Sequence, residues 1–168
     1  HRLEQQLLGD EVRHILEPGV AYFAAQNATP DHLHLLEEIL QRQEAKAAEG
    51  DPGVEEDSLF HYAIAQMTGN DFLMRLLQLI NESLVESRDL VLRYPDTQSA
   101  TRIGHRKILQ ALSKQDPEQA RQAMLAHTDR QALRHVRDVR LRRVFNFRPL
   151  VRNLAGALTV VASLVVFA

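Results

Sequence analysis

Residues 105–127 read HRKILQALSKQDPEQARQAMLAH, and this stretch decides the fold. Two apolar stripes lie on either side of a turn, each at the spacing i, i+3, i+4, i+7 that marks one face of an α-helix. They are His105, Ile108, Leu109 and Leu112 before the turn, and Ala120, Ala123, Met124 and His127 after it. Asp116 and Pro117 are typical of a helix start, with a carboxylate as N-cap and proline at the first helical position. The stretch therefore predicts two helices joined by a short turn.

The two histidines are predicted to face the core at the same level of this helical hairpin. His105 lies nine residues before the end of its helix, and His127 lies ten residues after the start of the next. At about 1.5 Å per residue they are roughly 14 and 15 Å from the shared turn. In an antiparallel pair of helices the two side chains would meet.

A third helical face carries two more polar residues toward the interior. Asp57, Phe60, His61 and Ile64 repeat the same spacing, and residues four apart on a helix project side by side. A buried ionised carboxylate is costly unless a positive charge compensates it. We therefore expect one divalent metal ion to be held by four ligands, Asp57, His61, His105 and His127.

Three imidazoles and one carboxylate suit zinc and nickel, which we expect first, and they also suit iron and manganese. A zinc ion with four protein ligands could have a complete coordination shell and a structural role. A six-coordinate metal would leave two positions for water or for the carboxylate of an effector. The alternative without a metal is a set of buried histidines bonded to one another, to Asp57 and to the backbone. For a single histidine that alternative is the more common one, but four such residues at one level favour the metal.

The same signals predict helices along the first 130 residues. Thr29-Pro30-Asp31 repeats the start pattern of Asp116-Pro117, and Gly69 can supply the left-handed residue that ends a helix. With short connections, the result is an all-α antiparallel bundle. The predicted helices cover Leu3 to Asn27 with a kink or break at Pro18-Gly19, Pro30 to Glu49, Val54 to Thr68, Asp71 to Arg93, Gln98 to Lys114, and Pro117 past His127.

Composition agrees with this fold class. The chain has 168 residues, of which 45% are hydrophobic and 5% aromatic, enough to bury one core and typical of helices rather than strands. It has no cysteine, so disulfides and thiolate metal sites are excluded. We expect a cytoplasmic protein, in agreement with this composition.

Charge divides the chain near residue 130. Residues 1–130 have 13 Lys and Arg against 21 Asp and Glu, whereas residues 131–168 have 7 Arg against a single Asp. An acidic body is a poor surface for a polyanion, so we expect no direct nucleic-acid contact there. The apolar end Leu154–Ala168 is shorter than the roughly 20 residues of a membrane span. We expect the tail to continue the last helix and pack on the body or on a second copy, a membrane-surface anchor being the less favoured alternative.

The pattern resembles the FCD domain, the effector-binding domain of GntR-type transcription regulators of the FadR subfamily. The resemblance covers roughly residues 7 to 130, because the order, the spacing and the capping signals all match. It opens on Glu11-Val12-Arg13-His14-Ile15-Leu16-Glu17-Pro18. The other matching residues are Asp57, Phe60, His61, Ala65, Gly69, Asn70, His105, Ile108, Ala111, Asp116, Ala120, Met124 and His127.

The resemblance implies a dimerising antiparallel bundle of six to seven helices with a central cavity for metal and ligand. It also implies that one Asp and three His bind the metal, which corresponds to the four ligands predicted above. The effectors of such domains are small organic acids, and their binding changes the affinity of a winged helix-turn-helix domain for operator DNA. That DNA-binding domain is absent from this chain, so we expect a domain of a longer regulator.

Four further residues are candidates for binding the effector. Arg13 could hold a carboxylate through its two-pronged guanidinium, or it could form a surface ion pair with Glu17. Asn81 and Arg88, seven residues apart on one helix, could line a pocket or a polar rim between helices. Arg102, three residues before His105, could reach the cavity or face solvent.

The leading hypothesis is a binding module in which metal and a carboxylate effector shift the bundle between states that a DNA-binding domain detects. An alternative is a metal-dependent, hydrolase-like enzyme, since a metal with open positions can activate water. We expect no enzyme, because Glu55 and Glu56 are the nearest carboxylates in sequence and are predicted to face outward. A second alternative is a purely structural metal in a dimerisation domain.

Overall fold

A computed structural model describes residues 2–92 and 94–130, apart from the side chains of residues 2–8, 10 and 83–91. The described part consists of six helices and contains no strand, so the predicted all-α fold is confirmed. The helices are α1 (Arg2–Gln26), α2 (Pro30–Ala48), α3 (Val54–Met67), α4 (Asp71–Leu92), α5 (Pro95–Ser113) and α6 (residues 117–130). Predictions for the tail, residues 131–168, lie outside the described residues.

Local capping explains where the helices begin and end. Thr29 is the N-cap of α2 and its hydroxyl accepts a hydrogen bond from the backbone N–H of His32 at 3.2 Å. Asp116 caps α6 in the same way, accepting from the N–H of Gln119 at 2.9 Å. Gly69 follows α3 with a φ of 65°, the left-handed conformation that glycine adopts without strain. These boundaries agree with the sequence-based predictions.

A kink or a break was predicted at Pro18-Gly19, and the break is not present. α1 runs from Arg2 to Gln26 with Pro18 inside it. A proline inside a helix costs about 3 kcal/mol through its missing N–H and its clash with the preceding turn. The turns after Pro18 offset this cost because they bury four side chains in the core: Val20, Ala21, Ala24 and Ala25.

The start of α5 also differs from the prediction, because the helix begins at Pro95 instead of Gln98. Tyr94 has extended backbone and serves as the N-cap, and its carbonyl accepts from the N–H groups of Thr97 and Gln98 at 2.9 and 3.0 Å. Pro95 occupies the first helical position, where its missing N–H costs nothing. Tyr94-Pro95, which follows α4, therefore also starts α5.

The core lies around α3, which packs against α1, α2 and α4, while α5 packs against α1, α2 and α4. Phe60 and Ile64 of α3, Leu36 of α2, and Ile108 and Leu112 of α5 are fully buried. The predicted inward faces of α3, α5 and α6 are thus the faces that meet in the interior. Among the described residues, no helix is both apolar enough and long enough to traverse a lipid bilayer.

Candidate metal and effector site

Four buried polar side chains from three helices meet in the core. Asp57 and His61 of α3, His105 of α5 and His127 of α6 each offer one potential ligand atom, and these atoms all lie within 4.8 Å of one another. We refer to these four residues as the Asp/His cluster. At most 4% of any member is exposed to solvent. The structure thus brings together all four residues predicted as ligands.

The imidazoles are packed ring against ring. The centroid of His105 lies 4.7 Å from that of His127 and 5.4 Å from that of His61, and His61 and His127 are 5.2 Å apart. Phe60 stacks on His105 with centroids 4.2 Å apart and planes 26° apart. The similar level of His105 and His127 on adjacent helices follows from their nearly equal distance from the turn at Asp116.

His105 is oriented by a hydrogen bond on one side of its ring. Its Nδ1 lies 3.0 Å from Oε1 of Gln43, a buried residue of α2. The amide oxygen can only accept, so this contact places the proton on Nδ1. The opposite atom, Nε2, lies 3.3 Å from Oδ1 of Asp57 and carries the lone pair that a metal needs.

His127 approaches the backbone of α5 where α5 has no side chain. A Cβ built on Gly104 would lie 2.5 Å from Nδ1 and 3.3 Å from Cγ of His127. A contact below 3.0 Å forces one of the groups to move, so glycine at this position makes room for the ring. Nε2 of His127 is buried without a hydrogen-bond partner among the described residues.

His61 lies against a buried ion pair on α1. Arg13 donates to both carboxylate oxygens of Glu17, at 2.7 Å from Nε and 3.2 Å from Nη2, and both residues are at most 3% exposed. Nη2 of Arg13 also lies 3.1 Å from Nε2 of His61, and Oε2 of Glu17 lies 2.9 Å from Nδ1. Arg13 can only donate and ionised Glu17 can only accept, so the proton is favoured on Nδ1 and the lone pair on Nε2.

The predicted alternative of an ion pair between Arg13 and Glu17 is therefore present, but it is buried instead of on the surface. Burial alone raises the pKa of Glu17, yet the positive charge of Arg13 and the contacts with His61 and Arg13 outweigh it and hold this pKa well below its usual value. Glu17 is consequently a carboxylate at neutral pH. Its contact with His61 makes α1 part of the site.

Burial also keeps two of the histidines, His61 and His127, neutral. It lowers the pKa of His61 from 6.5 to about 4, against the opposing charge of Glu17. Burial, followed by the neighbouring His105 and His61, lowers the pKa of His127 well below its usual value. Neutral imidazole is the form that binds metals, so these rings are held in the state that coordination requires.

The prediction that Glu55 and Glu56 both face outward is half right. Glu55 is exposed, but only 4% of Glu56 is exposed and its Oε1 lies 2.9 Å from Nζ of Lys46. The reason is that Glu56 begins the buried face of α3 and reaches the charge of Lys46 on α2. This ion pair engages the carboxylate that a metal hydrolase would need as a general base.

Two of the other predicted effector residues line cavities. Asn81 lines a cavity of about 270 Å³ between α3 and α4, together with Leu59 and Tyr62. Arg102 lines a cavity of about 490 Å³ with Glu44 and Arg106. Neither of these two cavities includes a member of the Asp/His cluster, and an effector role for Asn81 and Arg102 stays a prediction. Arg88 is on α4, but its side chain lies outside the described residues.

The Asp/His cluster fits a divalent metal by its donor types and by its unsatisfied atoms. Three neutral imidazoles and one carboxylate are ligands common to zinc and nickel sites. A buried nitrogen with no partner, such as Nε2 of His127, costs about 1–3 kcal/mol, and coordination would remove that cost. Gln43 behind His105 and Glu17 behind His61 are the kind of outer partners that orient metal-binding histidines.

Three residues of the site were not predicted from the sequence: Gln43, Glu17 and Gly104. Gln43 and Glu17 are polar residues within apolar stripes of their helices, which could have marked them as buried. Gly104 directly precedes His105 in the middle of a helix, where glycine is unfavourable by about 1 kcal/mol relative to alanine. That unfavourable choice was the available signal for a close approach.

Comparison with known proteins places the chain among transcription regulators. The family model described as the FCD domain matches residues 11–130. The HTH-type transcriptional regulator LutR of Bacillus subtilis is 35% identical over 129 residues, which are 73% of this chain and 58% of LutR. The putative L-lactate dehydrogenase operon regulatory protein of Escherichia coli is 30% identical over 78% of this chain and 55% of its own length. The Uxu operon regulator of Haemophilus influenzae is 28% identical over 71% of this chain.

Solved structures give the same fold. Streptococcus agalactiae GntR superposes with a TM-score of 0.69 at 29% identity, covering 79% of this chain and 60% of that protein. Escherichia coli McbR/YncC superposes with a TM-score of 0.70 at 18% identity, a likeness of fold alone. The chain thus spans about half to three fifths of the length of these relatives.

Proposed function

This chain belongs to the FCD family of effector-binding domains, and from that premise we propose that it is the metal-dependent, small-carboxylate sensor of a GntR-type transcription regulator of the FadR subfamily. The observation that carries the proposal is the Asp/His cluster, whose four ligand atoms lie within 4.8 Å of one another in the core. Zinc or nickel suits these donors best, and iron or manganese would also be accepted.

Arg13 would bind the carboxylate of the effector. It is a buried cation beside the Asp/His cluster, and a guanidinium matches a carboxylate with two parallel hydrogen bonds. When the lone pair of Nε2 of His61 is given to a metal, the Nη2 group of Arg13, which lies 3.1 Å from that atom, would donate to the effector carboxylate in its place.

The chemistry that a bound metal supplies is Lewis acidity toward an oxygen of the effector. The protein residues determine the rest: Gln43 and Glu17 orient two of the imidazoles, and Arg13 fixes one carboxylate. Small organic acids are the effector class that this arrangement fits. One relative is named for an L-lactate dehydrogenase operon, which agrees with this class.

A regulatory role is favoured over catalysis. The relatives are named as regulators, and the FCD domain is a ligand-binding and not a catalytic module. Operator DNA would be bound by a winged helix-turn-helix domain elsewhere in the full regulator, and the regulator would act in the cytoplasm as a homodimer. A purely structural metal would leave the cluster without a response to carboxylates. The response of Tm to added acids therefore distinguishes a structural metal from a sensor.

The test measures metal content and thermal stability of the purified full chain. We expect about one zinc or nickel ion per chain, a lower Tm after chelation, and recovery on adding the metal. A ligand present at a concentration of 100 to 1,000 times its Kd raises the free energy of unfolding by about 3–4 kcal/mol. Small α-hydroxy acids should raise Tm further only in the metal-loaded protein, without being consumed.

The matched variants are His127→Ala, which removes a predicted ligand, and His34→Ala, which removes an exposed histidine of α2. We expect His127→Ala to lose the metal and the response to acids, and His34→Ala to keep both. Unchanged metal content in His127→Ala would contradict the assignment. Metal without any response to acids would favour the structural alternative, and turnover of an acid would favour an enzyme.

A further inference from the structure

The turn between α2 and α3 contains a glycine that packs against a residue of the site. Gly53 is buried and has left-handed backbone, with φ of 68° and ψ of 35°. A Cβ at this position would lie 3.1 Å from Cγ of Gln43 and 3.9 Å from its Nε2. Oε1 of Gln43 in turn lies 3.0 Å from Nδ1 of His105. One line of contacts therefore leads from Gly53 through Gln43 to the Asp/His cluster.

Gln43 has little freedom to make room for a side chain at position 53. The nearest atom is Cγ, in the middle of the side chain, and the far end is hydrogen-bonded to His105. Only 2% of Gln43 is exposed. At 3.1 Å from a Cβ it would have to shift by a few tenths of an ångström. Since such hydrogen bonds span about 2.7–3.2 Å, a shift of that size takes the 3.0 Å contact to the edge of this range.

The hydrogen bond is important because His105 has an acceptor on each side of its ring. Oε1 of Gln43 faces Nδ1, and Oδ1 of Asp57 lies 3.3 Å from Nε2. A neutral imidazole has one proton, and its other nitrogen keeps the lone pair. Gln43 draws the proton to Nδ1, which leaves Nε2 able to bind a metal, whereas Asp57 draws the proton to Nε2. The position of one amide thus decides whether Nε2 of His105 can serve as a ligand atom.

Gly53 also begins the helix that carries Asp57. It is the N-cap of α3, and its carbonyl accepts from the N–H of Asp57 at 3.0 Å. Its own N–H donates to Oδ1 of Asp51 at 2.8 Å. The same residue therefore holds the first turn of α3 and gives room to the amide that orients His105.

We propose that Gly53 is a positioning residue of the metal site, which acts on His105 through Gln43. The proposal rests on the proposed function, since it concerns the nitrogen that His105 offers to a metal. Hydrogen at position 53 keeps Gln43 within reach of Nδ1, and the lone pair of Nε2 then stays directed into the Asp/His cluster. Removing such a partner behind a metal-binding histidine weakens metal binding by about 10- to 100-fold.

Gly53→Ala tests the proposal, and Gly69→Ala is its matched control. Gly69 has nearly the same φ, 65°, but a Cβ there would meet nothing within 4 Å. Both variants carry the strain of alanine in left-handed backbone, and only Gly53→Ala also displaces Gln43. Zinc titrations of the full chain should show about tenfold weaker binding, or worse, in Gly53→Ala. The affinity of Gly69→Ala should stay within about twofold of the unmodified chain.

A spectroscopic measurement separates positioning from a general loss of stability. In the metal-free, isotope-labelled full chain, the nitrogen resonances of the His105 ring report which nitrogen is protonated. We expect the proton on Nδ1 in the unmodified chain and in Gly69→Ala, and a shift toward Nε2 in Gly53→Ala. Gln43→Met keeps Cγ but has only a weakly accepting sulfur, so it should move the proton in the same way.

The effects of Gly53 and Gln43 should not add, because one acts through the other. Gln43→Ala removes the Cγ that a Cβ at position 53 would meet. In that background Gly53→Ala should cause no further loss of zinc affinity. Additive losses, or an unmoved proton and unchanged zinc affinity in Gly53→Ala, would overturn the proposal.

Folding itself gives a last comparison. If Gly53→Ala does not fold, recovery of folding on adding Gln43→Ala supports the contact, and no recovery overturns it. If the unmodified chain binds no zinc, the metal-dependent function fails, whereas the protonation of the His105 ring still tests the role of Gly53.

Discussion

The backbone of α5 passes so close to His127 that any side chain at position 104 would force the imidazole to shift. The hydrogen in place of a side chain lets the imidazole of α6 lie against the neighbouring helix, with 2.5 Å between a hypothetical Cβ and Nδ1. Gly19 of α1 has the opposite surroundings, since a Cβ there would meet nothing within 4 Å. Two glycines inside helices thus have different reasons to be present, and they form a natural pair for comparison.

We predict that Gly104→Ala destabilises the protein and that Gly19→Ala stabilises it. Alanine favours a helix over glycine by about 1 kcal/mol, and Gly19→Ala should gain up to that amount. At position 104 the forced shift of His127 should cost about 1–3 kcal/mol and weaken metal binding. Urea unfolding of both variants, with zinc titrations, provides the measurement. An equal increase in the free energy of unfolding in both variants would show that His127 is not held where the structure places it.

At the scale of helices, much of the fold could be predicted from the sequence because the signals are local. Caps such as Thr29 and Asp116 and the spacing of apolar residues determined most boundaries and which side of a helix is buried. The continuity of α1 through Pro18 and the start of α5 at Pro95 could not be predicted, because both depend on what the helix packs against or on backbone conformation.

The four residues of the Asp/His cluster could likewise be predicted, because helical spacing tells which residues face inward. Their outer partners could not. Gln43 and Glu17 reach the site from α2 and α1, and helical spacing within one segment does not tell which other segment it will contact. The same limit applies to Arg13, whose ion pair was expected on the surface and is buried.

The cap of α6 offers a prediction at this scale. Asp116→Ala removes the acceptor for the N–H of Gln119 and should lower the free energy of unfolding by about 1 kcal/mol. Asp116→Asn retains an accepting oxygen and should cost much less. Because His127 lies about three turns along α6, zinc affinity should change little in either variant. A large loss of zinc in Asp116→Ala alone would mean that the cap also positions the ligand.

At the scale of the whole molecule, the described side chains that form one site come from five helices. α3, α5 and α6 supply the Asp/His cluster, α2 supplies Gln43, and α1 supplies Arg13 and Glu17. The lowered pKa values of His61 and His127 are therefore a property of the folded core as a whole. Unfolding would return these two rings to water and to the ordinary pKa of histidine.

This makes stability depend on pH. The pKa of His61 is about 4 in the folded chain against 6.5 for a free ring, and that of His127 is also lowered. Between these values the unfolded chain binds protons that the folded chain does not, so the free energy of unfolding falls as pH falls from about 6.5 to about 4. For His61 the loss is on the order of 3 kcal/mol. The lowered pKa of Glu17 adds a further loss below its usual value of 4.5.

Urea unfolding of the chelator-treated full chain, at pH values from about 7.5 to about 4.5, measures this dependence. His127→Gln should flatten the profile because it removes one of the depressed groups. His34→Gln changes an exposed histidine and should leave the profile as it is. A stability that does not change over this interval would mean that water reaches the rings.

The length of α1 has a mechanical consequence. Its 25 residues form one uninterrupted rod, and Glu17 lies about 15 residues, or roughly 22 Å, from the first turn at Arg2. A tilt of only ~5° about the contact with His61 would carry that distant end through ~2 Å. Because α1 is continuous through Pro18, a small rearrangement beside one imidazole would be enlarged into a displacement of its distant end.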